Sequence, residues 1–420
     1  MLMDLNDNNV TYEEVFDVVI IGAGPAGASL AYYLSADNIR TALVEKKYHF
    51  DRPVRCAEIV PSPITTLFDE KIEGINRKIQ FMDTYINGLK ASSIKSAALM
   101  LDRELFVKFL ADRFTENGGK YFNACKAVSV KNLNFSGERQ KRKKPCILSE
   151  TACFNLKEAT FFKLKSRIVI FANGSPYFKG ASGSYGRNEK EKSHNNSPNF
   201  YDDLMIGVNA NYESIKKYEN RSMIFFYPFI KYGYGWLFPK EKSFNTGLAV
   251  KACVLEEDEI KNIFLKFKKH LLNAGFITGQ EKQNSFVCGN IYTGGLKTEK
   301  ICGDYLAAGD ALGLVNPVTG AGIFNAVAAS KIMAGKLAAL IKKIIENEDS
   351  AETSRDLSNE HELRVNYFTD IKTEINAYFS KSISRAIDKR RFMEQNWENY
   401  GFEALVKKCW VSFKDYFKRD

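Results

Sequence analysis

Apolar and polar positions near the start of the chain follow a strand–turn–helix–strand order. An apolar run rich in β-branched residues ends at Gly22-x-Gly24-x-x-Gly27. The residues that follow, 28–34, are apolar at helical spacing, and a second apolar run, 41–45, ends in an acid. The pattern predicts a buried strand, a tight turn, a helix and a second strand.

Further along, the pattern changes from strands to helices. Strict alternation predicts an antiparallel sheet with strands at residues 205–212, 222–229, 235–238 and 245–250. Helical spacing predicts helices over residues 101–114, with Asp102 as the N-cap, and 322–346, and a mostly helical tail after 357. A basic turn at 136–145 and a Gly/Ser/Asn/Lys-rich connection at 182–200 separate elements.

The first glycine cluster predicts a site for a nucleotide cofactor. Glycine permits the tight turn at Gly22 and a close backbone approach at Gly24, and the helix N-terminus offers N–H groups to a pyrophosphate. Glu45 ends the second strand, at about the right distance along the chain to accept a ribose hydroxyl. A strand before the glycines, a helix after them and this acid together make the motif specific.

Composition narrows the class of protein. The 420 residues are 45% hydrophobic and 26% charged, which is ordinary for a globular chain long enough for two or three domains. The net charge of +10 fits an anionic lipid surface, an acidic partner or simply solvated lysines. Nucleic-acid-binding signatures do not occur, so no nucleic-acid partner is expected.

Cysteine and histidine usage predicts a reduced protein without a metal. The eight cysteines form no Cys-x-x-Cys pair, and none of the four histidines has ligand spacing. Free thiols, and a start without a basic or apolar leader, lead us to expect a cytoplasmic location. Residues 15–34 are nearly long enough to cross a bilayer, but Asp17 and the glycines assign them to the nucleotide fold, so no transmembrane helix is predicted.

A second glycine-rich segment far along the chain completes the cofactor prediction. Gly309-Asp310 follows a short apolar run, and Gly320-Ala321-Gly322 precedes the long predicted helix. The two motifs together resemble flavoproteins of the p-hydroxybenzoate hydroxylase superfamily, in which one FAD-binding fold is interrupted by a substrate domain. The resemblance implies that Asp310 holds the ribityl chain, that Gly320 to Ile323 stabilise negative charge on the reduced flavin, and that Arg103 reaches the cofactor.

Two further motifs narrow the resemblance to the geranylgeranyl reductase family. Tyr234-Gly-Trp236-Leu-Phe238-Pro239 matches that family's Tyr-x-Trp-x-Phe-Pro signature, and Arg55-Cys56-Ala57-Glu58 is similar to its Cys-Gly-Glu segment beside the flavin. The likeness covers residues 15 to about 340.

Three positions depart from the resemblance. Lys231 replaces a proline three residues before the tyrosine, Ala57 replaces the glycine of Cys-Gly-Glu, and Asn173-Gly174 replaces the superfamily's Asp-Gly. The first two concern the substrate site, and the third favours a reductase over a nicotinamide-reading hydroxylase.

The resemblance implies an α/β fold: a Rossmann-like FAD-binding domain, an inserted antiparallel-sheet substrate domain and a C-terminal helical region. We expect the FAD-binding domain at 1–80, 101–181 and 286–345, the substrate-binding domain at 81–100 and 182–285, and the helical region at 346–420. The expected FAD-binding residues are Gly22, Gly24, Pro25, Ala26, Gly27, Glu45, Lys46, Arg55, Cys56, Ala57, Arg103, Gly309, Asp310, Gly320, Ala321, Gly322 and Ile323.

The function that the resemblance implies is an FAD-dependent reductase that saturates carbon–carbon double bonds of isoprenoid chains in a lipid, quinone or pigment precursor. Cys56 and Glu58 are candidate catalytic residues, with Glu58 alternatively paired to Arg55. Tyr234, Trp236 and Phe238 alternate on one strand, so they share a face that suits a prenyl chain.

Two other functions stay open at this stage. One is a flavin-dependent monooxygenase or halogenase of an apolar or aromatic substrate, and the other is a non-catalytic prenyl carrier. For the reductase, the expected partners are a prenylated lipid and an electron donor, either a ferredoxin-like carrier or a nicotinamide. Apolar residues on one face of the tail, including Leu405, Val406, Cys409 and Trp410, fit either a peripheral membrane contact or packing against the domain.

Overall fold

The structure is a computed structural model. It describes residues 11–49, 54–133, 148–174, 203–213, 218–256, 259–278, 286–302, 305–350 and 357–417. The basic turn at 136–145 and the connection at 182–200, both predicted from composition, lie outside these residues.

Sixteen strands and six helices are named here in chain order. The strands are β1 (Thr11–Ile21), β2 (Thr41–Glu45), β3 (Ile59–Pro61), β4 (Ile75–Ile86), β5 (Leu89–Leu101), β6 (Lys120–Asn123), β7 (Cys125–Leu133), β8 (Leu148–Asn155), β9 (Thr160–Phe171), β10 (Leu204–Glu213), β11 (Arg221–Phe226), β12 (Tyr234–Pro239), β13 (Ser243–Lys251), β14 (Val287–Tyr292), β15 (Ile301–Cys302) and β16 (Tyr305–Ala307). The helices are α1 (Pro25–Ala36), α2 (Arg103–Glu116), α3 (Glu259–Asn273), α4 (Ile323–Ser350), α5 (Leu357–Asn396) and α6 (Phe402–Cys409).

The first sheet carries the nucleotide-binding pattern. Its order is β15-β16-β9-β1-β2-β6, with β8 attached to β9 and β7 to β8. The pairs β16–β9, β9–β1, β1–β2 and β2–β6 are all parallel. Val18, Val19 and Ile20 of β1 are fully buried, as a continuous apolar run in a parallel sheet requires. The carboxyl ends of β1, β2 and β16 therefore lie along one edge of the sheet, where ligands bind in this architecture.

The second sheet holds the predicted alternating strands. Its order is β14-β10-β13-β12-β11-β4-β5-β3, and only β11–β4 among its pairs is parallel. One face packs against α3 through Phe264, Phe267 and Leu271. The opposite face carries Trp236 and Phe238 and packs against α6. The sheet thus has two apolar faces, and only one can be the predicted substrate face.

Three strands pair in the second sheet although they lie, wholly or in part, in segments expected for the FAD-binding domain. Strand β3 and the start of β4, expected within the first FAD-binding segment, belong to the second sheet, as does β14. The long hairpin β4–β5 has register shifts at three places, which weaken the alternation that marks a strand in sequence. Helix α2, with Asp102 accepting a hydrogen bond from the Leu105 N–H, begins where predicted.

Helix α4 crosses the core of the first domain. Within it, residues 323–348 are long and apolar enough to cross a membrane by composition alone, but 61% of the most apolar stretch is buried in the fold. Ala334, Leu337 and Ile341 lie in the cluster that also contains Leu30 and Leu34 of α1. A core helix explains this apolar composition.

Candidate active site

The first glycine turn leaves no room for a side chain at two positions, Gly22 and Gly27. Gly22 has φ +107°, and a Cβ there would lie 2.6 Å from the Ala172 carbonyl oxygen. A Cβ at Gly27 would lie 1.9 Å from the Gly22 carbonyl oxygen. At Gly24, by contrast, a Cβ would have no atom of the described residues within 4 Å. The turn is therefore tight on its inner side and open at Gly24, the N-cap of α1, where the predicted pyrophosphate would lie.

Glu45 is fixed against this turn. Its Oε2 accepts a hydrogen bond of 2.8 Å from the Ala23 N–H, and its Oε1 accepts one of 2.9 Å from the Lys47 N–H. Each carboxylate oxygen retains a further lone pair for a ribose hydroxyl. Pro25 and Ala26 are buried in the first turn of α1, while the side chain of Lys46 is exposed.

The second glycine segment meets the first. Gly309, with φ +64°, lies so close to α1 that a Cβ there would come within 2.6 Å of the Ala26 Cβ. The Ser330 hydroxyl of α4 donates a buried hydrogen bond of 2.9 Å to the Ala26 carbonyl. Two segments far apart in sequence therefore form the two sides of one crevice.

Asp310 is a half-buried acid at this junction. Burial raises the pKa of Asp310 above its ordinary value, and the positive charge of Arg103 opposes that shift. The Asp310 Oδ1 lies 3.3 Å from the position a Gly322 Cβ would take, so a larger residue at 322 would crowd the carboxylate. The arrangement gives an acceptor for ribityl hydroxyls with a cation close by, as the resemblance implies for Asp310 and Arg103.

The turn before α4 presents backbone rather than side chains. Asn316 Oδ1 accepts hydrogen bonds from the Val318 and Thr319 N–H groups, both at 3.0 Å. Gly320 follows with φ +65° and, like Ala321, is exposed. Helix α4 begins at Ile323, and the first N–H groups of a helix have no partner within the helix. The turn therefore fits the pyrimidine edge of a flavin.

The crevice fits FAD. Helix N-termini α1 and α4 and the acids Glu45 and Asp310 line one continuous edge of the first sheet. The expected FAD-binding residues between 22 and 45, and those from 309 to 323, lie there. Of the others, the exposed Arg55 extends along β14, since a Gly289 Cβ would lie 3.1 Å from the Arg55 Cβ. Ala57 packs with the apolar cluster that contains Trp236 and Phe238.

Glu58 joins the crevice to the second sheet. It is 3% exposed and has φ +64°, a conformation that non-glycine residues seldom adopt. Its Oε1 accepts from the Arg103 backbone N–H at 3.1 Å, and its Oε2 accepts from the Lys240 ammonium at 2.5 Å and the Asn245 amide at 3.2 Å. Glu58 therefore forms its ion pair with Lys240 and not with Arg55, the partner that the sequence suggested as an alternative.

Asn245 extends this network to both neighbouring motifs. Its amide also donates to the Cys56 carbonyl at 2.9 Å, and its Oδ1 accepts from the Trp236 indole N–H at 2.9 Å. Sequence reasoning missed Lys240 and Asn245. The sequence does place Lys240 and Asn245 on either side of the hairpin turn that follows Tyr234–Pro239. The sequence pattern does not show, however, that this turn faces Glu58.

The predicted substrate residues share one face, as alternation requires. Adjacent ring centroids lie 6.1 Å apart for Tyr234 and Trp236 and 6.2 Å apart for Trp236 and Phe238. The Tyr234 hydroxyl donates a hydrogen bond to the Thr319 carbonyl, in the turn that precedes Gly320. Burial raises the pKa of Tyr234, and the neighbouring Cys56 thiol adds to that shift. The aromatic face thus begins directly at the cofactor turn.

Cys56 lies beside this junction with a half-buried side chain. The Glu58 N–H donates to the Cys56 sulfur at 3.3 Å. Cys56, Tyr234 and the turn at Gly320 are therefore neighbours. Among the described residues, no group of three or more His, Cys, Asp or Glu side chains is arranged to hold a metal.

Comparisons with known proteins agree with this reading. The profile of the FAD binding domain family matches residues 15–79. A digeranylgeranylglycerophospholipid reductase of Methanococcus vannielii is 29% identical over 331 residues, which are 74% of each chain. The protein of the same name from Methanocaldococcus jannaschii is 26% identical over 362 residues, 82% of this chain and 81% of that one. These relatives confirm the resemblance to the geranylgeranyl reductases and the FAD cofactor.

Solved structures confirm the fold. A geranylgeranyl bacteriochlorophyll reductase-like protein from Thermoplasma acidophilum has a TM-score of 0.74 at 19% identity, covering 96% of this chain and 92% of its own. The myxobacterial chondrochloren halogenase CndH has a TM-score of 0.62 at 15% identity, covering 94% and 86%. At these identities the likeness concerns the fold alone, and this fold occurs both in the reductase-like protein and in the halogenase.

Proposed function

We propose that this FAD-dependent oxidoreductase of the geranylgeranyl reductase type saturates carbon–carbon double bonds in the isoprenoid chains of a prenylated lipid. The observation that carries the proposal is the hydrogen bond from Tyr234 to the Thr319 carbonyl, which joins an aromatic, uncharged sheet face to the cofactor turn. The names of relatives that align with 74% and 82% of the chain support a phospholipid with geranylgeranyl chains as the substrate class.

Saturating an alkene requires a hydride at one carbon and a proton at its neighbour. FAD in its reduced state would supply the hydride when bound, and an external donor would return the two electrons that each reduced bond consumes. The aromatic face of β12 has to hold the alkene against the cofactor and exclude water.

Protein residues must also supply the proton. The Glu58 carboxylate already accepts hydrogen bonds from Arg103, Lys240 and Asn245, so its place is that of a positioning group. Cys56 and the Tyr234 hydroxyl lie together at the start of the aromatic face. We therefore assign the proton to this pair, with Cys56 as the catalytic candidate.

The apolar chain of the proposed substrate also bears on where in the cell the enzyme works. Burying a twenty-carbon chain gains on the order of 15 kcal/mol at about 0.8 kcal/mol per methylene, and most of this gain is already made inside a bilayer. Transfer of the chain from lipid to protein is then close to neutral, while its release into water is strongly unfavourable. We therefore propose that the protein works peripherally at the cytoplasmic face of a membrane.

The Asp310 carboxylate gives a direct test of the cofactor assignment. Replacing Asp310 by alanine should weaken FAD binding by about 1.5–3 kcal/mol, since a buried hydrogen bond to a charged group is lost. Titration of the apoprotein with FAD, followed by flavin fluorescence, measures the change. Asp112→Ala on the exposed side of α2 is the control and should bind FAD as the wild type does.

A panel of prenylated lipids tests the reaction. The holoenzyme, reduced anaerobically with dithionite, should convert at least one geranylgeranyl lipid to products heavier by one H₂ for each reduced bond, read by mass spectrometry. Hydroxylated or halogenated products that form only in air would identify the monooxygenase or halogenase alternative. A purified protein that takes up prenyl lipid but no FAD would identify the carrier.

A further inference from the structure

The C-terminal segment, residues 402–417, covers the aromatic face proposed for the substrate. It comprises α6, a turn and the final helical turn Lys414–Phe417. Val406 and Trp410 are buried in the same cluster as Trp236 and Phe238. The Trp410 ring centroid lies 4.9 Å from that of Tyr234 and 5.1 Å from that of Phe226. The segment packs against the domain, which is one of the two arrangements expected for its apolar residues.

The space left beneath this segment is too small for a prenyl chain. A cavity of about 10 Å³ lies between Trp410, Tyr234 and the Pro317–Val318 turn. A space of this size holds about one water molecule. An isoprenoid chain can lie along Tyr234 and Trp236 only if the side chains that now cover them move.

Trp410 covers the aromatic face without a hydrogen bond that would anchor its indole ring to the described residues. It is almost fully buried, yet its indole N–H has no hydrogen-bond partner among the residues that the structure describes. A buried donor without a partner raises the free energy of the packed position. The segment is held at its far side by the Ser412 hydroxyl, which lies 2.9 Å from that of Thr84 and 3.0 Å from that of Ser92.

We propose that Trp410 occupies the site of the isoprenoid chain, and that the segment 402–417 moves away from β12 when the chain binds. This inference rests on the proposed function, because it concerns the substrate of the same site. The Trp410 indole ring and a stretch of prenyl chain are both apolar, and both are flat enough to pack against Tyr234 and Trp236. The movement breaks the contacts of Leu405 and Cys409 with the end of α5 at Met393 and Trp397, whereas α5 up to Ile383 and the α3 side of the second sheet retain their own cores.

A reversible lock tests the movement. The Ser92 and Ser412 hydroxyls are 3.0 Å apart, so the double variant Ser92→Cys/Ser412→Cys should form a disulfide that fastens the segment to β5. With the holoenzyme in its oxidised state, the locked variant should bind tritiated geranylgeraniol at least tenfold more weakly than the wild type. A thiol reductant should restore the affinity. Each single cysteine variant, oxidised in the same way, should bind as the wild type does.

Truncating Trp410 supplies an independent arm. Trp410→Ala should bind geranylgeraniol at least as tightly as the wild type, and the ligand should raise its melting temperature by more than that of the wild type, because the chain fills the vacated space. A tenfold loss of affinity in Trp410→Ala would make Trp410 a wall of the site and overturn the inference. If the wild type reduces prenyl chains and the locked variant binds geranylgeraniol as tightly as the wild type does, the inference is overturned while the proposed function stands. No binding of geranylgeraniol to the wild type would overturn the proposed function as well.

Discussion

Gly27→Ala should remove both FAD binding and a large part of the stability of the first domain. The new Cβ would lie 1.9 Å from the Gly22 carbonyl oxygen, so α1 and β1 must separate. Overpacking of this kind costs about 3 kcal/mol, and the separation also moves the N–H groups of the turn. Urea unfolding of the apoprotein measures the first effect, and titration with FAD measures the second.

Gly24→Ala is the matched variant in the same turn. Its Cβ would enter open space, and its φ of −72° suits alanine, so the apoprotein should keep its free energy of unfolding to within about 0.5 kcal/mol. FAD binding should nevertheless weaken tenfold or more, about 1.4 kcal/mol, because the Cβ occupies the path of the pyrophosphate. Wild-type FAD affinity in Gly24→Ala would contradict the position assigned to the cofactor.

Lys240→Met should destabilise the protein by about 3 kcal/mol. The substitution leaves the Glu58 carboxylate, which is 3% exposed, without its cation. Removing one partner of a buried ion pair is far more costly than the pair is worth, because the other charge stays desolvated. Chemical unfolding of the holoenzyme gives the change in free energy.

A double variant separates the lost charge pair from lost packing. In Lys240→Met/Glu58→Gln no buried charge is left, and the single amide oxygen can accept from either the Arg103 N–H or the Asn245 amide, which bond to different oxygens of Glu58, so part of the stability should return. Lys108→Met, which breaks an exposed pair with Asp112 on α2, should cost no more than about 0.5 kcal/mol. If Lys240→Met and Lys108→Met lower the free energy of unfolding equally, the buried pair of Lys240 with Glu58 contributes no more to stability than an exposed pair.

The cofactor crevice could be predicted from sequence because its needs are local. A turn at Gly22, a helix start at Pro25 and an acid at Glu45 each follow from nearby residues, and the structure places them as expected. The two glycine-rich segments were expected to lie together because the resemblance implies one FAD-binding fold, and the close approach of Gly309 to Ala26 is in accord with that expectation.

The rest depends on contacts between distant segments, which local patterns do not encode. The pairing of Glu58 with Lys240 arises where a loop of the first half meets a hairpin of the second sheet. The start of β4 lies in a segment expected for the FAD-binding domain but pairs within the second sheet, and its register shifts interrupt the alternation that marks a strand in sequence. The apolar residues of the segment 402–417 were visible in the sequence, but the packing of Trp410 on Tyr234 and Phe226 could not be told from a membrane contact.

Reduction of a prenyl chain requires that one crevice hold a flavin against an apolar face that admits the chain. This requirement is tested by the visible absorbance of the anaerobically reduced holoenzyme after mixing with a geranylgeranyl phospholipid or with its fully saturated analogue. We expect the oxidised flavin spectrum to return with the unsaturated lipid and not to return with the saturated one. A flavin that stays reduced with both lipids and is reoxidised only by air would contradict it.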